Sequence, residues 1–171
     1  MIILETSRLF RGLPEAESQM LRDSVRIQKF PAGQVIFTEG DIGDGLYVVR
    51  TGSVQISAIV NEDERRTLSG ISVGDFFGEM AVVDKEPRSA TATAVTEAEV
   101  YFVPREVVER LLQRSPNLAV NLMREFSLRL REFNRHYIRE VLESERLSLV
   151  GRFARSIVHD FKNPLNIIGI A

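Results

Sequence analysis

The chain has 171 residues, 44% of them hydrophobic and 27% charged, with a formal net charge of -2. That is enough for one packed domain and an appendage but not two full domains, and it excludes a disordered polyelectrolyte or a strongly basic nucleic-acid binder. The absence of cysteine rules out a disulfide framework and a thiolate metal site. No stretch approaches the roughly 18 uninterrupted apolar residues of a membrane-spanning helix. Glu5 and Arg8 interrupt the one apolar stretch near the start, against a secretory signal. The expectation is a soluble cytoplasmic chain with no membrane and no nucleic-acid partner.

The chain opens with Leu9, Phe10, Leu13, Met20 and Leu21 at spacings that predict a short helix. From about residue 25 to 103 the pattern changes to strands. VRIQKF, PAGQVIFTEGD, LYVVRTGSVQISAIV, RRTLSGISVGDFF and SATATAVTEAEVYFV alternate β-branched or aromatic residues and end at Gly, Asp or Pro. Many short strands joined by glycine turns predict an α+β fold built on a small antiparallel barrel or β-roll of jelly-roll type, with flanking helices. Gly40, Gly45 and Gly52 fall where strands need tight turns or positive φ.

Pro104 begins a helical regime. REVVERLLQ is amphipathic, and Ser115-Pro116 predicts a capping residue followed by proline at the first helical position. Phe126, Leu130, Phe133 and Tyr137 alternate four and three apart, the spacing of a coiled-coil seam. Leu147, Val150, Ala154, Ile157 and Phe161 resume it after an irregular stretch at 140–145, which is a stutter. A helix this long needs a partner to bury its stripe, so a homodimer through the C-terminal helix is expected.

The chemistry concentrates in GDFFGEMAVVDKEPRSATATA, residues 74–94. Gly78 permits a sharp turn after Phe76-Phe77, and Glu79 to Val83 predict about one turn of helix ended by Asp84. Backbone N–H groups at such a start can hold an anion. Arg88 follows ten residues after Gly78, stiffened by Pro87 and followed by the donor Ser89; its planar fork suits a pair of oxyanion oxygens.

Phe77-Gly78-Glu79-Met80-Ala81 and Pro87-Arg88-Ser89-Ala90-Thr91 resemble the phosphate-binding cassette of cyclic-nucleotide-binding domains, the family of the catabolite activator protein and the regulatory subunits of cAMP-dependent kinase. The resemblance runs from about Leu9 to Phe133. It implies that Arg88 pairs with the exocyclic phosphate and that Ser89 donates through its N–H and hydroxyl. The N–H groups of Met80 and Ala81 complete the cradle, and Glu79 accepts from the ribose 2′-OH. Met80 stands where Leu or Ile is usual, and Ala92 where a β-branched residue is commoner. Ser89 permits either base, with cAMP preferred to cGMP; Phe126, Leu130 and Phe133 are candidates to cap it. No metal is expected.

Of the two histidines, His136 reads as a helix-surface residue. His159-Asp160-Phe161-Lys162-Asn163-Pro164-Leu165 resembles the H-box of dimeric sensor histidine kinases. There, His159 would accept phosphate from ATP, Asp160 would hold the second ring nitrogen, Asn163 would join them in the catalytic set, and Pro164 would permit a bend. The division expected is 1–133 for the nucleotide-binding domain with the start of its last helix, 134–146 for a coiled-coil linker, and 147–171 for the first helix of a phosphoacceptor domain. No ATP-binding motif precedes Ala171, so the chain as given should bind ligand without being an enzyme. A response regulator is the partner expected for the whole kinase. The alternative is a sensor domain like that of the catabolite activator protein, cut before its DNA-binding domain.

Overall fold

The computed structural model describes residues 4–61 and 64–168, with side chains through Arg152. The chain divides into two compact units, Met1–Glu125 and Phe126–Ala171. In the first unit, β1 (Arg26–Phe30), β8 (Ala98–Pro104), β3 (Gly45–Thr51) and β6 (Phe76–Phe77) form one sheet in that order. The second sheet runs β2 (Val35–Phe37), β7 (Thr91–Ala94), β4 (Val54–Asn61) and β5 (Glu64–Ile71). Every pairing is antiparallel, as the glycine-punctuated alternation predicts. The helices are α1 (Glu15–Ser24), α2 (Met80–Val83), α3 (Arg105–Arg114) and α4 (Pro116–Ile168).

One core cluster joins the inner faces of the two sheets: Tyr47, Val49, Val54, Phe77, Ala92, Ala94, Val100 and Phe102 are among its members. The alanines of β7, Ala92 and Ala94, share this cluster with Tyr47, Phe77 and Phe102, and small side chains beside large rings suit close packing of the two sheets. β3 is buried on both faces. Tyr47 and Val49 belong to the inner cluster, while Leu46 and Val48, on the opposite face by strand alternation, are also buried. α3 packs on β3 and β8, and α1 packs on α3; α3 supplies Val107, Val108 and Leu111, and α1 supplies Leu21. This double burial is why LYVV reads as an unbroken apolar run.

Four expectations need correction. SATATAVTEAEVYFV is two strands in different sheets, because the turn at Val95–Glu97 carries the chain across the roll; there Ser53 N donates to Thr96 Oγ1 at 3.0 Å. The first helix starts at Glu15, after Pro14, so Leu9 and Phe10 are buried outside it. Gly40 and Gly52 do adopt positive φ, +89° and +78°, but Gly45 does not. It lies within β3, where a Cβ would stand 2.4 Å from Val103 O and 2.6 Å from the Phe102 ring; its role is close approach. Finally, Ser115 does not cap with its side chain: Oγ is buried without a partner, and the carbonyl receives Leu118 N at 3.1 Å instead.

The start of α4 is fastened to the N-terminal segment. Asn121 Nδ2 donates to Leu9 O and Arg11 O at 3.0 and 2.8 Å, and Asn117 Nδ2 to Gly12 O at 3.0 Å. In the second unit, Leu130, Phe133 and Tyr137 are 59%, 64% and 58% exposed, and the rings of Phe133 and Tyr137 stack at 6.2 Å. His136 is exposed, as expected. His159, Asp160 and Asn163 fall in the α4 span, and their side chains lie outside the described residues.

Candidate functional site

The cassette is local in sequence and held from a distance. β6 pairs with β3 through Tyr47↔Phe77 and Val48↔Phe76, which fixes where the chain turns. Gly78 makes that turn with φ +77°, a conformation that costs a residue with a Cβ roughly 1–2 kcal/mol. Glu79 follows at the N-cap of α2, 4% exposed, and its carbonyl accepts from Val82 N and Val83 N. With four residues α2 carries little macrodipole; what it offers is the N–H groups of its first turn, Met80 and Ala81, which no intrahelical carbonyl can reach. Lys85, at φ +64°, reverses the chain toward Pro87, and Glu86 N donates to Asp84 Oδ1 at 3.0 Å.

Arg88 is the most constrained member. Its backbone bridges the loop after β2, with Arg88 N donating to Asp41 O and Gly40 N to Arg88 O, both at 2.8 Å. The residue is 3% exposed. Nη1 donates to Gly78 O at 2.7 Å; Nη2 donates to Gly45 O at 2.8 Å and to Asp44 Oδ1 at 2.9 Å. Nε is buried with no acceptor. The guanidinium also lies over the Phe37 ring, 4.3 Å from its centroid, and 5.7 Å from that of Tyr47. Burial lifts the Tyr47 hydroxyl above its ordinary pKa; the Asp44 carboxylate pushes the same way and Arg88 opposes it. The resemblance pairs Arg88 with the exocyclic phosphate; three of its five N–H donors are committed to the protein, and Nε is buried without an acceptor.

The structure thus brings Gly78, Glu79, Met80, Ala81, Arg88 and Ser89 into one neighbourhood. Ser89 is exposed, and its Oγ lies 3.7 Å from Met80 Sδ. Sequence reasoning missed Phe37, Asp44 and Arg105. Arg105, which opens α3, donates from Nη2 to Ala81 O at 2.9 Å and to Gly43 O, while its backbone N donates to Asp44 O at 2.9 Å. It therefore joins the cassette helix to the loop that pairs with Arg88. The Gly-Asp-Gly of residues 43–45 was the available signal: Gly43 faces Ala81, where a Cβ would stand 2.4 Å from the alanine Cβ. Among the described residues, no cluster of three His, Asp or Glu could hold a metal ion, and no helix is long and apolar enough to cross a membrane.

Comparison with known proteins places this geometry. Residues 27–115 match the family model of the cyclic nucleotide-binding domain. The cyclic AMP receptor protein of Thermus thermophilus is 36% identical over 129 residues, 75% of this chain and 60% of that protein. The crystal structure of the Thermus thermophilus catabolite activator protein superposes with a TM-score of 0.67 at 35% identity, over 76% of this chain and 61% of the other. The regulatory domain of Toxoplasma gondii PKA, crystallised with cAMP, gives a TM-score of 0.59 at 30% identity, over 63% of this chain and 41% of that one. The chain spans about three fifths of the bacterial relatives it matches.

Proposed function

Since the chain belongs to the cyclic nucleotide-binding domain family, we propose that it is the cAMP-sensing regulatory module of a dimeric sensor histidine kinase, with His159 as the phosphoacceptor. The observation that carries the sensing half is Arg88. It is a buried cation whose Nε has no protein acceptor, beside a glycine whose missing Cβ would stand 2.7 Å from Nη1. An unpaired donor on a buried guanidinium fits an oxyanion, because burial without a partner is costly and a charged acceptor relieves it. In this reading Arg88 and Ser89 hold the phosphate with the Met80 and Ala81 N–H groups. Glu79, buried at the turn, accepts from the ribose hydroxyl, so a deoxy analogue forfeits that bond and binds more weakly.

The kinase half rests on the His-Asp-Phe-Lys-Asn-Pro-Leu pattern at 159–165 in the same α4 span that begins at Pro116. Nucleotide binding would shift the winding of paired α4 helices and so the access of ATP to His159, with a response regulator receiving the phosphate. The sensor claim is tested by calorimetric titration with cAMP and with cGMP beside Arg88→Ala. The wild-type chain should release heat with cAMP, and Arg88→Ala should lose at least about tenfold in affinity; silence with both nucleotides ends the reading. His159→Gln in the full-length protein should abolish phosphorylation from ATP. A second reading, a sensor domain of a transcription regulator, is favoured by similarity to the CRP-like cAMP-activated global transcriptional regulator of Mycobacterium tuberculosis, 29% identical over 77% of this chain; it predicts nucleotide-dependent DNA binding and no phosphorylation at His159.

A further inference from the structure

Phe37 ends β2 and belongs to no part of the cassette pattern, yet it makes the closest ring contact with Arg88. The pairing Phe37↔Ala92, just after a register shift from Val35, sets it beside the cradle. Its ring packs against those of Tyr47 and Phe77, at 5.7 and 5.9 Å between centroids. The same ring bounds the Gly78 turn, where a Cβ would come within 3.3 Å of Cε1.

We propose that Phe37 is a positioning residue of the nucleotide site, whose ring face sets the plane of the Arg88 guanidinium and so the affinity for the phosphate anion. This rests on the cyclic-nucleotide reading given above. The three protein acceptors of Arg88 all engage the Nη end. None engages Nε, which is buried without an acceptor. A flat cation lying on an aromatic face keeps its N–H groups pointing outward in its own plane, where acceptors approach. The Phe37 face thus complements the Nη bonds: they hold one end, and the ring fixes the tilt at which Nε is presented. It also excludes water from one side of the charge, which strengthens any ion pair formed on the other.

The test compares wild type with Phe37→Leu, which keeps an apolar side chain but removes the ring, and with Phe37→Tyr, which keeps the ring face. Calorimetry with cAMP reads the affinity. Exchange of the Arg88 Nε–H with water, followed by NMR on the ligand-free chain, reads the guanidinium directly. Thermal midpoints of the ligand-free chains report packing. We expect Phe37→Leu to weaken cAMP binding about tenfold and to speed Nε–H exchange, while Phe37→Tyr stays within about threefold on both. Unchanged binding or unchanged exchange in Phe37→Leu overturns the inference, as does an equal loss in Phe37→Tyr or a loss that follows the thermal midpoint across the three chains. Absence of heat with wild type defeats the sensor reading and this inference together; heat with wild type and Phe37→Leu alike defeats this inference alone.

Discussion

Gly78 and Gly45 both contact the surroundings of Arg88, and a methyl group at each meets a different kind of obstacle. At Gly45 the nearest atoms are a backbone carbonyl, Val103 O, and the buried Phe102 ring. Neither can swing aside, so Gly45→Ala forces β3 and β8 apart and should cost about 1–3 kcal/mol of stability. At Gly78 the nearest atom is the end of a flexible side chain, Arg88 Nη1. The guanidinium can yield, and what it loses is its bond to Gly78 O and its place on the Phe37 ring. Gly78→Ala should therefore lower stability by about 1–2 kcal/mol for the positive φ, and lower cAMP affinity by more than that. Urea midpoints and calorimetric dissociation constants measured on both variants separate the two outcomes. Equal losses of affinity and stability in both would contradict the distinction.

Between elements, the first sheet is laced by charge as well as by its ladder. Glu99 on β8 receives Lys29 Nζ from β1 at 2.6 Å and Arg50 Nη1 from β3 at 2.8 Å, and Lys29 and Glu99 are direct register partners. The Lys29 hydrogen bond holds the Glu99 carboxyl below its ordinary value of 4.5, with burial opposing and the charges of Lys29 and Arg50 assisting. The same bond raises Lys29 above 10.5. A folded-state pKa below the unfolded one means that the ionised carboxylate favours the fold; this contribution is complete above pH 4.5 and is lost as pH falls through the lowered value. The Lys29 contribution is complete below pH 10.5 and is lost as pH rises through the raised value. Glu99→Gln should accordingly be less stable than wild type at pH 7, with the gap in urea midpoint closing on acidification below about pH 4. A gap of constant size from pH 7 to pH 3 would refute the ionic origin. The pair is solvent-screened, so added salt should narrow the gap at pH 7 as well.

At the scale of the whole molecule, α4 carries the open question of assembly. A helix of 53 residues gains little from propensity alone and is ordinarily stabilised by burying an apolar stripe. Leu130, Phe133 and Tyr137 present such a stripe while remaining more than half exposed in the single chain. Pairing with a second copy along this stripe is the proposed solution. Light scattering should give the mass of two chains, and Tyr137→Glu should give one chain while leaving cAMP affinity unchanged. A monomeric wild type would remove the coiled-coil route from nucleotide to His159.

What the amino-acid order determined by itself is whatever depends on neighbours along the chain. The strands follow from alternation, the turns at Gly40, Gly52 and Gly78 from the demand for positive φ, and the cassette from a motif contained within residues 77–91. That is why Gly78, Glu79, Met80, Ala81, Arg88 and Ser89 could be singled out together without coordinates. The tertiary structure decided what Arg88 does with its donors. Asp44 and Gly45 lie 44 and 43 residues away in sequence, and Phe37 reaches it only because β2 pairs with β7. No local pattern encodes such meetings, because they arise from strand pairing and the closing of two sheets on one core. Ser115 shows the same limit: its sequence context asks for a cap, but burial at the α3–α4 junction leaves its hydroxyl unpaired and gives the role to its carbonyl.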